Sequence, residues 1–443
     1  MQDAKRTIGV GVIGIGTVGG GVVKLILSHR EDYRVNYGID IDVVRGCARR
    51  AAEAEAAGLP AERFTDDWRE VVADPGVDIV VELIGGEHPA TEIMEAAFAA
   101  GKHVVTANKA LLGRQVERLA GLAHDAGVQL KCEAAAAGGI PVVNALEHTL
   151  TANRILTIAG IMNGTTNYIL SRMEREGADF AEVLADAQRL GYAEADPTAD
   201  VDGFDAASKT AILASIGFNT RVVTDDVFQE GIRAITAEDM AAARELGYTI
   251  KLLGIARSTE AGVEARVHPT MIPADHQLAS VAGAMNAVYV VGDAVGETMF
   301  YGAGAGSFPT ASAVVGDILA LAEPMSRGVD PLPEPEPYRA VRPIVAFEDL
   351  VNRFYLRLDV EAAGDEELAG VRAALEGRGV EVRALEVDGA AGAPTVTVIT
   401  GPVREGELAA ARDELGALGF VRAVASVIRI EDVDAWAAGA MAN

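Results

Sequence analysis

The sequence predicts an α/β protein of three parts: an N-terminal doubly wound parallel sheet, a middle α/β unit and a small C-terminal βαββαβ sandwich. Three observations predict this. Short apolar runs alternate with helical segments from residue 7 to about 130. Six prolines crowd into the 21 residues "EPMSRGVDPLPEPEPYRAVRP" (323–343), a stiff composition poor in helix and strand. Beyond that stretch the elements are short and regular.

Residues 7–13, "TIGVGVI", fit a buried strand, and "GIGTVGGGVVKLILSHR" a turn entering a helix. "IDVVRGCARR" (41–50) and "VDIVVELIGG" (77–86) supply the next two strands. An alanine-rich helix (90–100) and the strand "HVVTA" (103–107) follow. Such alternation builds a parallel sheet. In the middle region, strand-like runs 155–162 and 263–271 are separated by helical segments 167–176, 179–190 and 203–216. "GAGAGSFPTASAVVGDILALA" (302–322) is a glycine-rich loop entering a helix. After the proline segment come strand 353–360, helix 365–377, strands 380–387 and 395–400, helix 404–418 and strand 421–430. That order is ferredoxin-like. The expected divisions are 1–133 (completed by the helix at 302–322), 134–322, a linker at 323–343, and 344–443.

Half of the 443 residues are apolar, enough for substantial cores, and the formal net charge is −27. That charge argues against nucleic acid and anionic membrane as partners. Two cysteines, Cys47 and Cys132, are too few for a disulfide framework. No apolar run nears the roughly 20 residues of a membrane helix. The opening "MQDAKRTIGVGVIG" lacks a basic-then-apolar secretion pattern. A soluble protein of a reducing cytoplasm is therefore expected.

"GIGTVG" places Gly14, Gly16 and Gly19 in G-x-G-x-x-G spacing, with Thr17 and Val18 between, where a strand passes into a helix. The first glycine allows a tight turn, the second lets backbone approach a pyrophosphate, and the third lets helix pack on strand. The phosphate charge then meets unpaired amides at the helix N-terminus. At the end of the second strand, where an acid usually holds the ribose of NAD, this chain has Arg49 and Arg50. Guanidinium groups match a 2′-phosphate, so NADP is favoured over NAD, which the site still admits. The plainer account is two solvated arginines opening a loop.

"GYAEADPTADVDGFDAASK" (191–209) sets five acids ahead of one lysine, in a chain with only seven lysines. Asp205 and Lys209 are four residues apart, on one face of a helix expected to be capped by Asp202. The bland account is a surface ion pair that complements the helix dipole. Against it, Lys209 precedes "TAILASIG", which is nearly all apolar, and a helix apolar around its girth is buried. A buried lysine must be paired or used, and its proton affinity becomes tunable. Such a group suits proton exchange with an alcohol that becomes a carbonyl. Glu194 and Asp200, in the loop before the helix, suit a substrate ammonium, while Asp196 precedes Pro197 and sets a turn. Lys109, after "HVVTAN", stands at a strand's carboxyl end, where open sheets bind ligands. These residues together describe an NADP-dependent dehydrogenase acting on a small amino compound.

At these residues the chain resembles the homoserine dehydrogenase family. The motifs are "GIGTVG", "ELIGG" (82–86), "TANKALL" (106–112), "CEAAAAGGIP" (132–141), "IMNGTTNYIL" (161–170), "GYAEADPTADVDGFDAASK" and "GAGAGSFPTASAV" (302–314). The resemblance implies reversible reduction of L-aspartate 4-semialdehyde to L-homoserine, a step toward threonine, methionine and isoleucine. It implies an N-terminal Rossmann domain and a middle domain that binds substrate and dimerises, giving a homodimer or homotetramer. It implies that Lys209 carries the proton, Asp205 holds it, and Glu194 reads the substrate's amino end. Lys109 would be a second essential catalytic lysine, near nicotinamide and substrate. Gly85, Thr106, Gly304 and Gly306 would line the cofactor. It also implies a monovalent cation, usually sodium, held by Glu133, Ala136, Gly138 and Ile140.

The proline linker and βαββαβ tail resemble the ACT regulatory domain, which implies an amino-acid effector. Amino-acid-binding members usually carry "D-x-P-G-x-L" after the first strand; here "VEAAGDEELAGV" (360–371) lacks the proline and places acids after Gly364. Two rivals remain open to the residues: a semialdehyde dehydrogenase, which needs a nucleophilic cysteine such as Cys132, and a nucleotide-sensing regulator without turnover.

Overall fold

The computed structural model of the chain describes residues 6–334, 338, 341–390 and 393–441. Part of the expected proline linker lies outside these residues.

The N-terminal strands are β1 (Thr7–Ile13), β2 (Asp40–Cys47), β3 (Phe64–Thr65), β4 (Ile79–Glu82), β5 (His103–Thr106) and β6 (Leu130–Lys131). They form one parallel sheet in the order β3-β2-β1-β4-β5-β6. Strands covered on both faces need continuous apolar runs, and Val10, Val12, Ile79, Val81 and Val105 are all buried. The order reverses between β1 and β4, which opens a crevice at their carboxyl ends. Helix Ser307–Ser326 returns from the far side of the chain and packs on helix Thr17–Asp32, joining Val22 and Ile26 to Ala311, Val314 and Ile318 in one core. It runs on through Pro324, four residues beyond the expected end at 322.

Two boundaries differ from expectation near the crevice. β2 stops at Cys47, not 50, so Arg49 and Arg50 stand in the loop beyond it. β4 stops at Glu82, because the Glu82 carboxylate turns back to accept from the Ile84 amide at 2.8 Å and curls residues 83–86 into a loop.

The middle unit supplies β7 (Ile155–Ile161), β8 (Phe228–Gln229), β9 (Tyr248–Ser258), β10 (Val263–Pro273), β11 (Asn286–Gly292) and β12 (Gly296–Gly302). Of these, β8, β9, β11 and β12 are additional to the strands expected from sequence. The last part supplies β13 (Val351–Val360), β14 (Val382–Ala390), β15 (Ala393–Thr400), β16 (Val403–Arg404) and β17 (Val421–Ile430). With helices Asp365–Glu376 and Glu405–Gly416 it makes the expected βαββαβ, its four main strands ordered β17-β13-β15-β14.

The two units share one sheet. β10 pairs with β17 in parallel, Thr270 opposite Arg429 and Met271 opposite Ile430, to give the path β12-β11-β7-β9-β10-β17-β13-β15-β14. The chain's last described residues return to the middle unit. Trp436 is buried, its indole donates to Glu431 at 2.9 Å, and its carbonyl accepts from Thr157 on β7 at 2.9 Å. Among the described residues no helix is long and apolar enough to cross a membrane.

Candidate active site

Helix Phe204–Phe218 lies at the centre of the middle unit. Its residues from Asp205 to Ser215 are buried save Ser208, as its almost wholly apolar girth requires. Its start differs from expectation. Gly203, at φ +89°, occupies the cap position, and the Asp202 carboxylate turns away to pair with Arg233. A positive φ there suits glycine, and an arginine competes well for an aspartate that has no amide to cap.

Lys209 is 6 % exposed. Its ammonium donates to Asp205 Oδ2 at 2.9 Å and to the Met162 carbonyl at 2.8 Å. Lys109 reaches the same carboxylate from the start of helix Lys109–Asp125 and forms an ion pair with its other oxygen. The two helices approach closely because position 113 is glycine; a Cβ there would stand 2.6 Å from Thr224 Oγ1 and 3.3 Å from Ser208 Cβ. The Asn108 side chain caps the second helix at the Leu111 amide (3.1 Å) and donates to the Gly86 carbonyl (2.7 Å), so Lys109 starts from a fixed point.

Burial acts to raise the Asp205 carboxyl, but Lys209 and Lys109 outweigh it and hold the group well below the usual carboxylate range. Burial pulls the Lys209 ammonium down; Asp205 opposes this, and the like charge of Lys109 adds to the fall. Lys109, half-exposed, goes the other way: burial lowers it, but Asp205, Asp200 and Glu194 together raise it. The two ammoniums are thus differentiated. Lys109 stays a fixed cation, and Lys209 is the one that releases a proton more readily.

Asp200 is half-buried and accepts from Asn163 Nδ2 at 2.7 Å. Burial raises its carboxyl, and Asp205 adds to the rise. Glu194 is exposed on the preceding loop, where its backbone carbonyl accepts from Gln188 at 3.0 Å. Asp196 accepts from the Thr198 amide at 3.1 Å and sets the turn.

The loop after β4 is tied to this cluster through Asn108, which stands beside Lys109 and donates to the Gly86 carbonyl. Gly14 has φ +98°, and a Cβ there would lie 2.7 Å from the Leu83 carbonyl group; at Gly19 it would lie 2.0 Å from the Gly14 oxygen. At Gly16, Gly85 and Gly86 a Cβ would meet nothing within 4 Å. Two glycines therefore serve packing, and three face open space, the arrangement a dinucleotide needs. Thr17 and Val18 open the helix, and the Thr17 carbonyl accepts from Ser307 at 2.6 Å, drawing Gly304 and Gly306 to the same place. Thr106 is buried and donates to Glu82 at 2.8 Å, fixing the strand ends behind Gly85. Arg49 and Arg50 are exposed, and Arg50 is paired with Glu53.

Glu133 and Ala136 lie on the short helix Glu133–Ala137, and Gly138 and Ile140 follow directly after it. Glu133 is buried, accepts from the amides of Val143 (2.9 Å) and Asn144 (2.7 Å), and forms no ion pair with a described residue. No cluster of three metal-ligating side chains occurs among the described residues. Cys132 is buried and its thiol is pushed far above the ordinary range, chiefly by burial, which suits a packed side chain and not a nucleophile.

Sequence reasoning missed Met162 and Asn163. The carbonyl of one and the amide of the other hold Lys209 and Asp205. The one legible signal was an asparagine ahead of "GTTNYIL", a helix cap.

Residues 14–133 match the family model described as homoserine dehydrogenase, NAD binding domain, and residues 141–319 match the model described as homoserine dehydrogenase. The chain is 45 % identical over 438 residues to a homoserine dehydrogenase of Synechocystis, covering 96 % of this chain and 99 % of that one. It resembles the solved homoserine dehydrogenase of Thiobacillus denitrificans with a TM-score of 0.91 at 44 % identity, over 97 % of this chain and 99 % of that one. A hyperthermophilic archaeal homoserine dehydrogenase mutant solved in complex with NADPH matches with a TM-score of 0.61 at 25 % identity, over 71 % of this chain and 97 % of that one. With this coverage, and with Lys109, Asp205 and Lys209 of its motifs joined in one cluster, the chain belongs to the homoserine dehydrogenase family.

Proposed function

We propose that the chain interconverts L-aspartate 4-semialdehyde and L-homoserine, with Lys209 as proton carrier. The observation that carries this is a buried lysine held by Asp205, whose other oxygen pairs with Lys109, the residue after the Asn108 that is bonded to Gly86 of the glycine-bearing strand-end loop. When bound, the nicotinamide supplies or accepts the hydride. In the reductive direction charge grows on the substrate's carbonyl oxygen. The Lys209 ammonium stabilises that charge and gives up its Nζ proton to the oxygen, and in the reverse direction the neutral amine takes it back. Asp205 keeps the amine aimed. Lys109 remains charged and orients substrate at the crevice mouth. Glu194 and Asp200 receive the substrate ammonium.

NADP is the preferred cofactor in this reading, through Arg49 and Arg50 beyond β2. Gly14, Gly16, Thr17, Val18, Gly19, Gly85, Thr106, Gly304 and Gly306 form the dinucleotide cradle. A monovalent cation fits the short helix Glu133–Ala137 and the turn after it, at Glu133, Ala136, Gly138 and Ile140, since a buried carboxylate without an ionic partner among the described residues is offset by a cation, and backbone carbonyls suit a hard one. The C-terminal βαββαβ is an ACT-like module whose departure from the usual proline motif points away from threonine as its effector. Exposed Met299 and Tyr301 on the edge strand β12 support association with a second copy of the chain. The cell compartment is the cytoplasm.

The test is steady-state homoserine oxidation with NADP and with NAD, with and without threonine and with sodium replaced by choline. Turnover beyond one equivalent of protein supports the reading, and its absence with both cofactors overturns it.

A further inference from the structure

We propose that Asn163 is the positioning residue of the proton-transfer pair, its amide tying Asp205 to Asp200 while the adjoining Met162 carbonyl holds Lys209. The inference rests on the proton-carrier reading of Lys209 and extends it to the residues that aim the pair.

Asn163 follows the end of β7 and is 5 % exposed. Its Oδ1 accepts from the Thr166 amide at 2.9 Å and from Thr166 Oγ1 at 3.1 Å, which caps helix Gly164–Glu176. With the oxygen committed to the cap, the NH₂ group has one orientation left. It donates to Asp205 Oδ2 at 2.8 Å and to Asp200 Oδ1 at 2.7 Å. Asparagine is the capping residue that can do this, because it carries two donors beside its acceptor. Serine, threonine and aspartate cap as well but cannot bridge two carboxylates.

The bridge has a physical purpose. Asp200 and Asp205 are like charges withdrawn from water, and each raises the other's tendency to take up a proton. A neutral double donor between them relieves that without adding a cation that would compete with Lys209. Asp205 Oδ2 receives hydrogen bonds from both Asn163 and Lys209, so its position is fixed from two directions. Met162, one residue earlier in the chain, accepts from Lys209 at 2.8 Å. Two consecutive residues at one strand end therefore locate both halves of the pair. The other charged groups facing it are Lys109 from helix Lys109–Asp125 and Glu194 from the loop before Asp200.

Asn163→Asp separates positioning from capping. The cap survives, both donors are lost, and a third acid joins the cluster. The expected result is a kcat for aldehyde reduction lower on the order of 10²-fold, the scale of a small misplacement of a reacting group. NADPH affinity should be unchanged, and the thermal midpoint should fall above the pH at which the new carboxyl ionises, since a third buried acid adds repulsion. The ratio of variant to wild-type kcat should rise as pH falls, because the new carboxyl, once protonated, donates one of the missing bonds. A variant with wild-type kcat across the pH range overturns the proposal. Should that variant prove unstable, Asn163→Ser decides: lost kcat at unchanged NADPH affinity supports the role, and wild-type kcat overturns it. Lys209→Ala is run beside them. Retained kcat there overturns the proton-carrier reading itself, whereas its loss beside a fully active Asn163→Asp overturns the Asn163 role alone.

Discussion

Lys209 stands one helical turn from Asp205 and donates to it at 2.9 Å inside a helix that is otherwise apolar. Lys209→Ala should lower kcat by about two to four orders of magnitude, the span of a general acid–base group. NADPH affinity should stay near the wild-type value, since the glycine loop lies on another unit. Stopped-flow fluorescence of cofactor binding, read beside steady-state rates, checks both. The wild-type rate of aldehyde reduction should fall at alkaline pH from a point below the usual lysine range, because burial lowers the Lys209 ammonium. Loss of cofactor binding along with activity would reassign Lys209 to the fold.

The cofactor preference should follow Arg49. Wild type should turn over NADP with a higher kcat/KM than NAD, and Arg49→Asp should shrink or invert that ratio by placing an acid where a 2′-phosphate sits. Equal kcat/KM for the two cofactors in the wild type would dismiss the arginine argument.

Lys251 on β9 is 1 % exposed and its ammonium meets neutral partners, the Val281 carbonyl at 2.8 Å and Asn167 Oδ1 at 3.5 Å. Burial brings it down to about 8. An unfolded lysine titrates near 10.4, so between about 8 and 10.4 the unfolded chain binds the extra proton and stability rises with pH. Relative to Lys251→Met, which has no such proton, wild type should gain on the order of 3 kcal/mol across that window. Urea unfolding of both proteins at neutral and alkaline pH measures the gap; a constant gap would mean the folded lysine titrates like a free one.

Trp436 should be part of the core, although it lies past the last strand. It packs beside Tyr289 and His276 with ring centroids 5.7 and 5.3 Å away, and its carbonyl takes the Thr157 hydroxyl. Trp436→Ala should cost about 3–5 kcal/mol in chemical denaturation, the range for emptying a buried aromatic site. A cost under about 1 kcal/mol, the level of an ordinary surface change, would show the tail to be an appendage.

The N-terminal sheet was legible because its signals are local. Val/Ile runs, a G-x-G-x-x-G turn and alternating helices each depend on neighbours in sequence, and β1, β5 and helix Ala90–Ala99 fall where they were expected. The βαββαβ order was legible for the same reason. The two-residue strands β3, β6 and β8 were not, nor were β9, β11 and β12, since a short apolar run does not declare its period when both faces or an edge are involved. Asp202 shows the limit at one residue: its type is right for a cap, but Arg233, 31 residues on, takes its carboxylate.

The sequence by itself determined that a lysine sits one turn after an aspartate in an apolar helix, and that glycines line a strand-to-helix turn. Periodicity and residue chemistry suffice for that. Only the tertiary structure decided that Lys109 reaches the far oxygen of Asp205, that Met162 and Asn163 grip the pair, and that β17 extends the middle unit's sheet through β10. Those contacts join residues far apart in the chain. They arise where buried polar groups must find partners, and which partners they find depends on how the helices and strands pack.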